Sequence, residues 1–136
     1  MRIVIDTNVF IAALTHPSGS GAQVVNAWLE GRLEVLSSDA TLREAELVLD
    51  SEWLTHLSSR GKVEALLEQL QTRAIRVKGC PVKDMALRDE GDRRLVEAAV
   101  DGNAAYLVTT DRELLNQRGY AGTEFVTPAE LLRVLS

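Results

Sequence analysis

The apolar residues of this chain form short runs that alternate with longer segments in which apolar positions recur every three or four residues. The short runs predict buried strands, and the longer segments predict helices with one apolar face. The predicted strands are Arg2–Ile5, Leu33–Leu36, Ile75–Val77 (a short edge strand), Tyr106–Thr109 and Glu124–Val126. This alternation is typical of an α/β fold built on a parallel sheet.

Helical periodicity predicts a helix in nearly every interval between these strands. The predicted helices are Ala22–Leu29, a helix from Ser38 or Asp39 to Leu49, Val63–Leu70, Gly91–Val100 and a helix starting at Asp111–Leu115. In the first, Ala22, Val25 and Leu29 share one side, and in the second we expect Leu42, Ala45, Val48 and Leu49 to face inward. A last helix begins at Thr127-Pro128-Ala129-Glu130, which supplies an N-cap, a first-turn proline and a capping-box acid.

Composition and charge limit the class of protein. Of the 136 residues, 46% are hydrophobic and 26% charged, which favours a single folded domain over residues 1–136. Cys80 is the only cysteine, so no internal disulfide can form. No apolar stretch is long enough for a signal peptide or a membrane span, and we expect a soluble, cytoplasmic protein. The net charge of −5 argues against indiscriminate coating of nucleic acid but is compatible with an acidic metal site.

Acidic residues stand where a parallel sheet places functional groups. Asp6 directly follows the first predicted strand, and Asp111 follows the strand at Tyr106–Thr109. Asp92 falls in the first turn of a predicted helix, and Glu44 lies on the helix after the second strand. Ligand crevices in open parallel sheets lie beyond the carboxyl ends of the strands. If the two strands are neighbours, three or four carboxylates converge there.

Carboxylates gathered in this way repel one another unless a cation lies between them. Oxygen ligands favour Mg²⁺ or Mn²⁺ over zinc. Such ions can activate water and stabilise the leaving oxygen when a phosphodiester is hydrolysed. Each acid also has a purely structural explanation. A helix cap or first turn accounts for Asp89, Asp92 and Asp111, a turn for Asp6 and Asn8, and an exposed helix face for Glu44 and Glu46.

Five sequence blocks resemble the PIN-domain family, in the family's order and over nearly the whole chain. The first is Ile5-Asp-Thr-Asn-Val9, and the second, Glu44-Ala-Glu-Leu-Val-Leu49, resembles a Glu-Leu-x-x-Val-Leu helix motif. Arg88-Asp-Glu-Gly-Asp92 is similar to Arg-Asp-Pro-x-Asp, and Ala105-Tyr-Leu-Val-Thr-Thr-Asp111 to Ala-Asp-Tyr-Leu-Val-Thr-Gly-Asp. Thr127-Pro-Ala-Glu130 resembles the family's C-terminal ending.

The resemblance implies a three-layer α/β/α fold with a central parallel sheet, and metal-dependent cleavage of RNA. It is strongest to the toxins of toxin–antitoxin pairs, of VapC type, which implies an antitoxin protein and a homodimer as partners. By motif position the ligands of Mg²⁺ or Mn²⁺, and the catalytic acids, are Asp6, Glu44, Asp92 and Asp111. Asn8 and Thr109 would orient them, with Asp89 as an accessory acid.

Departures from the family pattern leave some assignments open. Glu90 and Gly91 stand where a proline and often an acid occur, which suggests a looser approach to Asp92, and Thr110 replaces a glycine. Glu46 is two residues from Glu44, so a shift of register would exchange them. A DNA-directed nuclease or a non-catalytic nucleic-acid-binding domain remain the alternatives. The candidate contacts to RNA phosphates are Arg93, Arg94 and Arg112, because each is next to or near a proposed ligand in sequence.

Overall fold

Six strands and eight helices make up the chain in the computed structural model, which describes residues 1–136. The strands are β1 (Arg2–Ile5), β2 (Glu34–Ser38), β3 (Ile75–Val77), β4 (Tyr106–Val108), β5 (Gly119–Tyr120) and β6 (Thr123–Val126). The helices are α1 (Thr7–Thr15), α2 (Ser20–Leu29), α3 (Asp39–Leu49), α4 (Glu52–Leu57), α5 (Arg60–Arg73), α6 (Glu90–Asp101), α7 (Arg112–Gln117) and α8 (Pro128–Leu135). None of the helices combines the length and apolar character needed to cross a bilayer.

The strands form one sheet in the order β3-β2-β1-β4-β6-β5. All neighbouring strands are parallel except β5, which is a two-residue strand antiparallel to β6. β1 and β4 are neighbours in register, with Ile3 opposite Tyr106 and Ile5 opposite Val108. The prediction of a central parallel sheet is confirmed, with β5 as an antiparallel addition. The residues that follow β1 and β4 therefore emerge side by side at one edge of the sheet.

Helices cover both faces of the sheet, as the predicted three-layer α/β/α architecture requires. Side chains alternate along β1, so that Ile3 and Ile5 pack on one face and Val4 on the other. The first face carries a buried apolar cluster to which α1, α2, α3, α4, α5 and α8 contribute. The second face is covered by α6, α7 and two buried residues of the segment before α6, Val82 and Met85.

Every strand predicted from the sequence is present, and its observed ends differ from the predicted ones by at most two residues. Two helices and one strand, α1, α4 and β5, were not predicted. The run Val9–Leu14 in α1 is apolar throughout, so it carries no helical periodicity that would distinguish a buried helix from a strand. One inward position was also wrong, since Val48 is only half-buried.

Capping boxes fix the starts of α3 and α8. The Ser38 hydroxyl accepts the Thr41 backbone N–H, and the Thr41 hydroxyl accepts the Ser38 N–H, which makes Ser38 rather than Asp39 the cap. Thr127 and Glu130 make the predicted capping box, with Pro128 in the first turn. Such caps contribute about 1 kcal/mol each. The four ion pairs involve exposed side chains and contribute less, so apolar packing and caps position the elements.

Candidate functional site

A pocket of about 150 Å³ lies at the carboxyl ends of β1 and β4, and five carboxylates line it. They are Asp6, Glu44, Asp89, Asp92 and Asp111. Asn8 lines the pocket as well, whereas Glu46 does not. The four acids selected from the sequence, and the accessory acid, are therefore brought to one place by strand order and helix packing. We call this the acidic pocket.

Asp6 is buried and fixed by two hydrogen bonds. Its Oδ2 accepts the Thr109 hydroxyl at 2.8 Å, and its Oδ1 accepts the backbone N–H of Asn8 at 3.3 Å as the N-cap of α1. The Thr109 hydroxyl also accepts the Asp111 backbone N–H at 3.0 Å, so one buried threonine ties β1 to the start of α7. Burial raises the pKa of Asp6, and the bonds from Thr109 and Asn8 partly oppose this.

Asp89 and Asp111 are helix caps as well as pocket residues. Oδ1 of Asp89 accepts the Gly91 backbone N–H at 2.7 Å, and Oδ1 of Asp111 accepts the Glu113 backbone N–H at 2.8 Å. One oxygen of each carboxylate makes the cap, which leaves the second oxygen for the pocket. The structural and chemical explanations of these acids are thus compatible, because a cap uses only half of the group.

Asp92 has the most unfavourable surroundings of the five acids. It lies in the first turn of α6, is 6% exposed, and its buried Oδ2 has no hydrogen-bond partner. The pKa of Asp92 is raised to about 8, and burial is the largest cause. Interaction with the Asp111 side chain is the next cause, and repulsion from Asp6 and Asp89 adds to it. The carboxyl therefore favours its protonated form at neutral pH unless a cation is bound beside it.

Glu44 reaches the pocket from α3 and lies against Gly91 of α6. A Cβ built at Gly91 would stand 3.0 Å from both Glu44 carboxylate oxygens and 3.1 Å from Asp89 Oδ1. The absence of a side chain at Gly91 therefore leaves room for Glu44, rather than opening a looser approach to Asp92. The pKa of Glu44 is raised by burial and by repulsion from Asp89 and Asp6.

The donor set of the acidic pocket fits a divalent cation. All the titratable donors are carboxylates, the ligand type that Mg²⁺ and Mn²⁺ prefer, and Asp92 Oδ2 is a buried oxygen with no partner from the protein. As the side chains stand, no three His, Cys, Asp or Glu residues are arranged in a group that could hold a metal ion. Binding would therefore require side-chain rotations that bring the carboxylates closer together.

The three arginines selected from the sequence have different surroundings, and none lines the acidic pocket. Arg94 is exposed and close enough to Glu44 to oppose the rise in its pKa. Arg93 is half-buried, and its guanidinium donates to the Val82 carbonyl at 3.4 Å, which ties it to the segment before α6. Arg112 is exposed beside Asp111. Thr110 is exposed as well and does not line the pocket.

Some residues of the pocket were not selected from the sequence. Thr7, Val48, Gly91 and Leu95 complete its lining. Gly91 was noted only as a departure from a motif, because its contact with Glu44 joins two helices that lie far apart in the chain. No signal in a single sequence reveals such a contact. Val48 follows Glu44 by one helical turn, which explains why both face the pocket.

Comparisons with known proteins agree with this architecture. The model of the PIN domain family matches residues 2–113. An uncharacterized protein of Methanocaldococcus jannaschii is 24% identical over 119 residues, which cover 87% of this chain and 76% of that protein. The crystal structure of VapBC2 from Rickettsia felis, bound to a DNA fragment from their promoter, contains a chain that superposes with a TM-score of 0.62. At 14% identity, the match covers 92% of this chain and 97% of that one.

Replacing Asp92 with asparagine should stabilise the metal-free protein at alkaline pH. Folded Asp92 holds its proton up to about pH 8, whereas the unfolded residue loses it near 3.8, so the native state binds more protons between these values. The free energy of unfolding of chelator-treated protein should therefore fall as pH rises through this window. Asp92→Asn should remove that part of the pH dependence, measured by urea denaturation at each pH.

Asp84→Asn is the matched control, because Asp84 is an exposed acid outside the pocket. It should leave the slope of stability against pH unchanged. A slope in Asp92→Asn equal to that of the wild type would show that Asp92 does not titrate in this way.

Adding a methyl group at Gly91 should weaken binding of Mn²⁺ by about tenfold, the effect typical of disturbing a residue that supports a ligand. The Cβ of Gly91→Ala would displace the Glu44 carboxylate by a few tenths of an ångström. Gly61→Ala is the control, since Gly61 is also near a helix start and a Cβ there meets nothing within 4 Å. Titration calorimetry with Mn²⁺ measures both. Equal affinities in the two variants would contradict the role of Gly91.

Proposed function

The chain belongs to the PIN-domain family, and we propose that it is a metal-dependent endoribonuclease and the toxin of a toxin–antitoxin pair. PIN domains are generally nucleases, and the proposal adds the substrate, the ion and the biological role. The observation that carries it is the acidic pocket, in which five carboxylates converge at the carboxyl end of a parallel sheet. Repulsion among these carboxylates destabilises the fold unless a cation is bound between them. The arrangement therefore favours a role for the acids in binding a cation.

The ligands of the ion in this proposal are Asp6, Glu44, Asp92 and Asp111, with Asp89 in support. When bound, Mg²⁺ or Mn²⁺ would supply Lewis-acid stabilisation of the phosphodiester and activation of water. Thr109 holds Asp6 in one orientation through its hydroxyl. Asn8 is exposed at the pocket, where its amide can contact the substrate or a bound water. Asp111 and Asp89 are held by the helix starts that they cap.

Arg94 is the arginine best placed to hold a substrate phosphate. Its charge acts on Glu44 in the pocket, and its exposed guanidinium forms no ion pair within 4.0 Å in this chain. Arg93 has a structural partner in Val82, which reduces its availability. Arg112 is exposed, but it is not among the groups that shift the pKa of Asp6, Glu44 or Asp92. We therefore rank Arg94 first and Arg112 second among the three candidate contacts to a substrate phosphate.

Cleavage of RNA by the purified chain is the direct test. With Mn²⁺ or Mg²⁺, we expect the wild type to cut a fluorescent RNA oligonucleotide internally, and Asp6→Asn and Asp111→Asn to lose at least about 100-fold in rate. Circular dichroism should show that both variants remain folded. Arg94→Ala should raise KM with little change in kcat, because it removes a contact present in both ground and transition states.

The controls separate this function from its alternatives. Arg112→Ala tests whether the loss of the other exposed candidate arginine raises KM in the same way as Arg94→Ala. The same sequence supplied as DNA tests for a DNA-directed nuclease, and cutting of DNA alone would replace the proposed substrate. Binding of RNA without cutting, at millimolar Mn²⁺, would favour a non-catalytic nucleic-acid-binding domain.

An antitoxin protein is the proposed partner. The Rickettsia felis neighbour was solved as VapBC2, and in this chain an apolar groove of about 330 Å³ lies between α1, α2 and α5. Its apolar lining includes Leu14, Ala22, Val25, Leu29, Ala65 and Leu66. Most of the residues that line the groove are apolar, which suits an apolar segment of a partner protein.

Filling this groove should abolish binding of the antitoxin. We expect the reading frame immediately upstream of the gene to encode a small protein that co-purifies with this chain on co-expression. Ala65→Arg should prevent co-purification, because it places a long charged side chain from an exposed position into the groove. Ala129→Arg, at an exposed helical position outside the groove, should not. Loss of the complex in both variants, or in neither, would contradict this assignment of the groove.

A further inference from the structure

The segment 78–89, between β3 and α6, contains no helix or strand but is attached along its length. Asp101 accepts the backbone N–H groups of Lys78 and Gly79 at its start. The Tyr120 hydroxyl accepts the Lys83 N–H and donates to the Lys83 carbonyl, at 3.2 and 3.1 Å. We call these residues the connecting segment. Because it ends at Asp89, its attachments and the first turn of α6 together determine where that acid stands.

The attachment next to Asp89 is made by Glu113 of α7. Glu113 Oε1 accepts the backbone N–H of Arg88, the residue before Asp89, at 2.9 Å. The backbone N–H of Glu113 donates to Asp111 Oδ1 at 2.8 Å. A single residue is thus bonded to Asp111 and to the neighbour of Asp89. Glu113 does not itself line the acidic pocket, so it is not one of the carboxylates that converge there.

From this geometry we infer that Glu113 is a positioning residue that holds Asp89 and Asp111 at a fixed separation in the acidic pocket. The inference rests on the proposed function for its consequence, metal binding, but not for the positioning itself. The Arg88 N–H bond aligns the chain at Asp89, whose Oδ1 in turn accepts the Gly91 N–H and starts α6. The same helix carries Asp92, a third acid of the pocket.

The other side chains that bond to the connecting segment reach it further from Asp89. Gln117, one helical turn further along α7, donates from its side chain to the Ala86 carbonyl at 3.3 Å, which is three residues from Asp89. The Tyr120 bonds are at Lys83, further still from the pocket. The two side chains of α7 therefore form a natural comparison, because both tie the segment to the same helix and only Glu113 reaches the pocket end.

Three variants test this role in the full chain. Glu113→Ala removes the acceptor for the Arg88 N–H, Glu113→Gln keeps a side-chain oxygen that can accept it, and Gln117→Ala removes only the neighbouring attachment. The first readout is the amide proton chemical shift of Gly91 in metal-free protein, recorded by NMR, because that N–H is bonded to Asp89. The second is the affinity for Mn²⁺ from the electron paramagnetic resonance signal of the free ion.

We expect Glu113→Ala to shift the Gly91 amide resonance and to weaken Mn²⁺ binding by about three- to tenfold. Glu113→Gln should restore both towards the wild type, and Gln117→Ala should change neither, even if it lowers the melting temperature. An unchanged Gly91 resonance in Glu113→Ala would overturn the inference, whether or not the protein binds metal. Equal changes in the Gly91 resonance and in Mn²⁺ affinity for Glu113→Ala and Gln117→Ala would also overturn the inference. They would show that losing either attachment to α7 disturbs the connecting segment in the same way.

The two readouts also separate this inference from the proposed function. If the Gly91 resonance responds as expected but the wild type neither binds Mn²⁺ nor cuts RNA, the positioning by Glu113 stands and the nuclease proposal fails. If the wild type binds Mn²⁺ and cuts RNA while Glu113→Ala behaves like the wild type in both readouts, the nuclease proposal stands and the inference fails.

Discussion

Five carboxylates that repel one another meet at the carboxyl end of the sheet, and the fold has to hold them there. β1 and β4 are neighbours, so the acids that follow them emerge together, and α3 and α6 bring Glu44 and Asp92 to the same pocket. The raised pKa of Asp92, about 8, shows how strongly the surroundings oppose its charge. Apolar clusters on both faces of the sheet hold these elements in place against that repulsion.

Helix starts offset part of this repulsion. Asp6, Asp89 and Asp111 are the N-caps of α1, α6 and α7, so each accepts a backbone N–H from the first turn of its helix. The positive end of a helix dipole stabilises a nearby anion by about 0.3–1 kcal/mol at an exposed site. Asp92 has no such bond at Oδ2 and is the acid whose pKa is raised most clearly. Helix starts therefore reduce the repulsion in the acidic pocket, but they leave Asp92 Oδ2 without a hydrogen-bond partner.

Much of the fold and the identity of the pocket acids could be predicted from the sequence. Strands such as Arg2–Ile5 have a strong apolar pattern with clear ends, and the Thr127–Glu130 capping box is a purely local signal. Asp6 and Asp111 could be selected because residues at the carboxyl ends of neighbouring parallel strands share one edge, whereas the choice of Glu44 and Asp92 depended on motifs that resemble the PIN-domain family. Helix α1 could not be separated from a strand, because its apolar run has no period.

Contacts between distant elements were beyond prediction. The bond from Arg93, a candidate phosphate contact, to the Val82 carbonyl depends on how α6 packs against the segment before it. The proximity of Gly91 to Glu44, and the bond from Arg88 to Glu113, each depend on how two elements pack. Neither is encoded by the spacing of residues along the chain. Such contacts decide how the acids are held, whereas the sequence pattern decides only which acids are present.

The proposed metal site requires that acids from separate elements share one divalent ion. Anomalous diffraction from crystals grown with Mn²⁺ measures this directly. The anomalous signal locates the ion, and the electron density around it shows the ligands. We expect a peak in the acidic pocket, with oxygens of Asp6, Asp92 and Asp111 at about 2.0–2.3 Å, which runs from the distances typical of Mg²⁺ to the shortest ones of Ca²⁺. A pocket with no peak at saturating Mn²⁺, or with a peak bound by one of these acids alone, would contradict it.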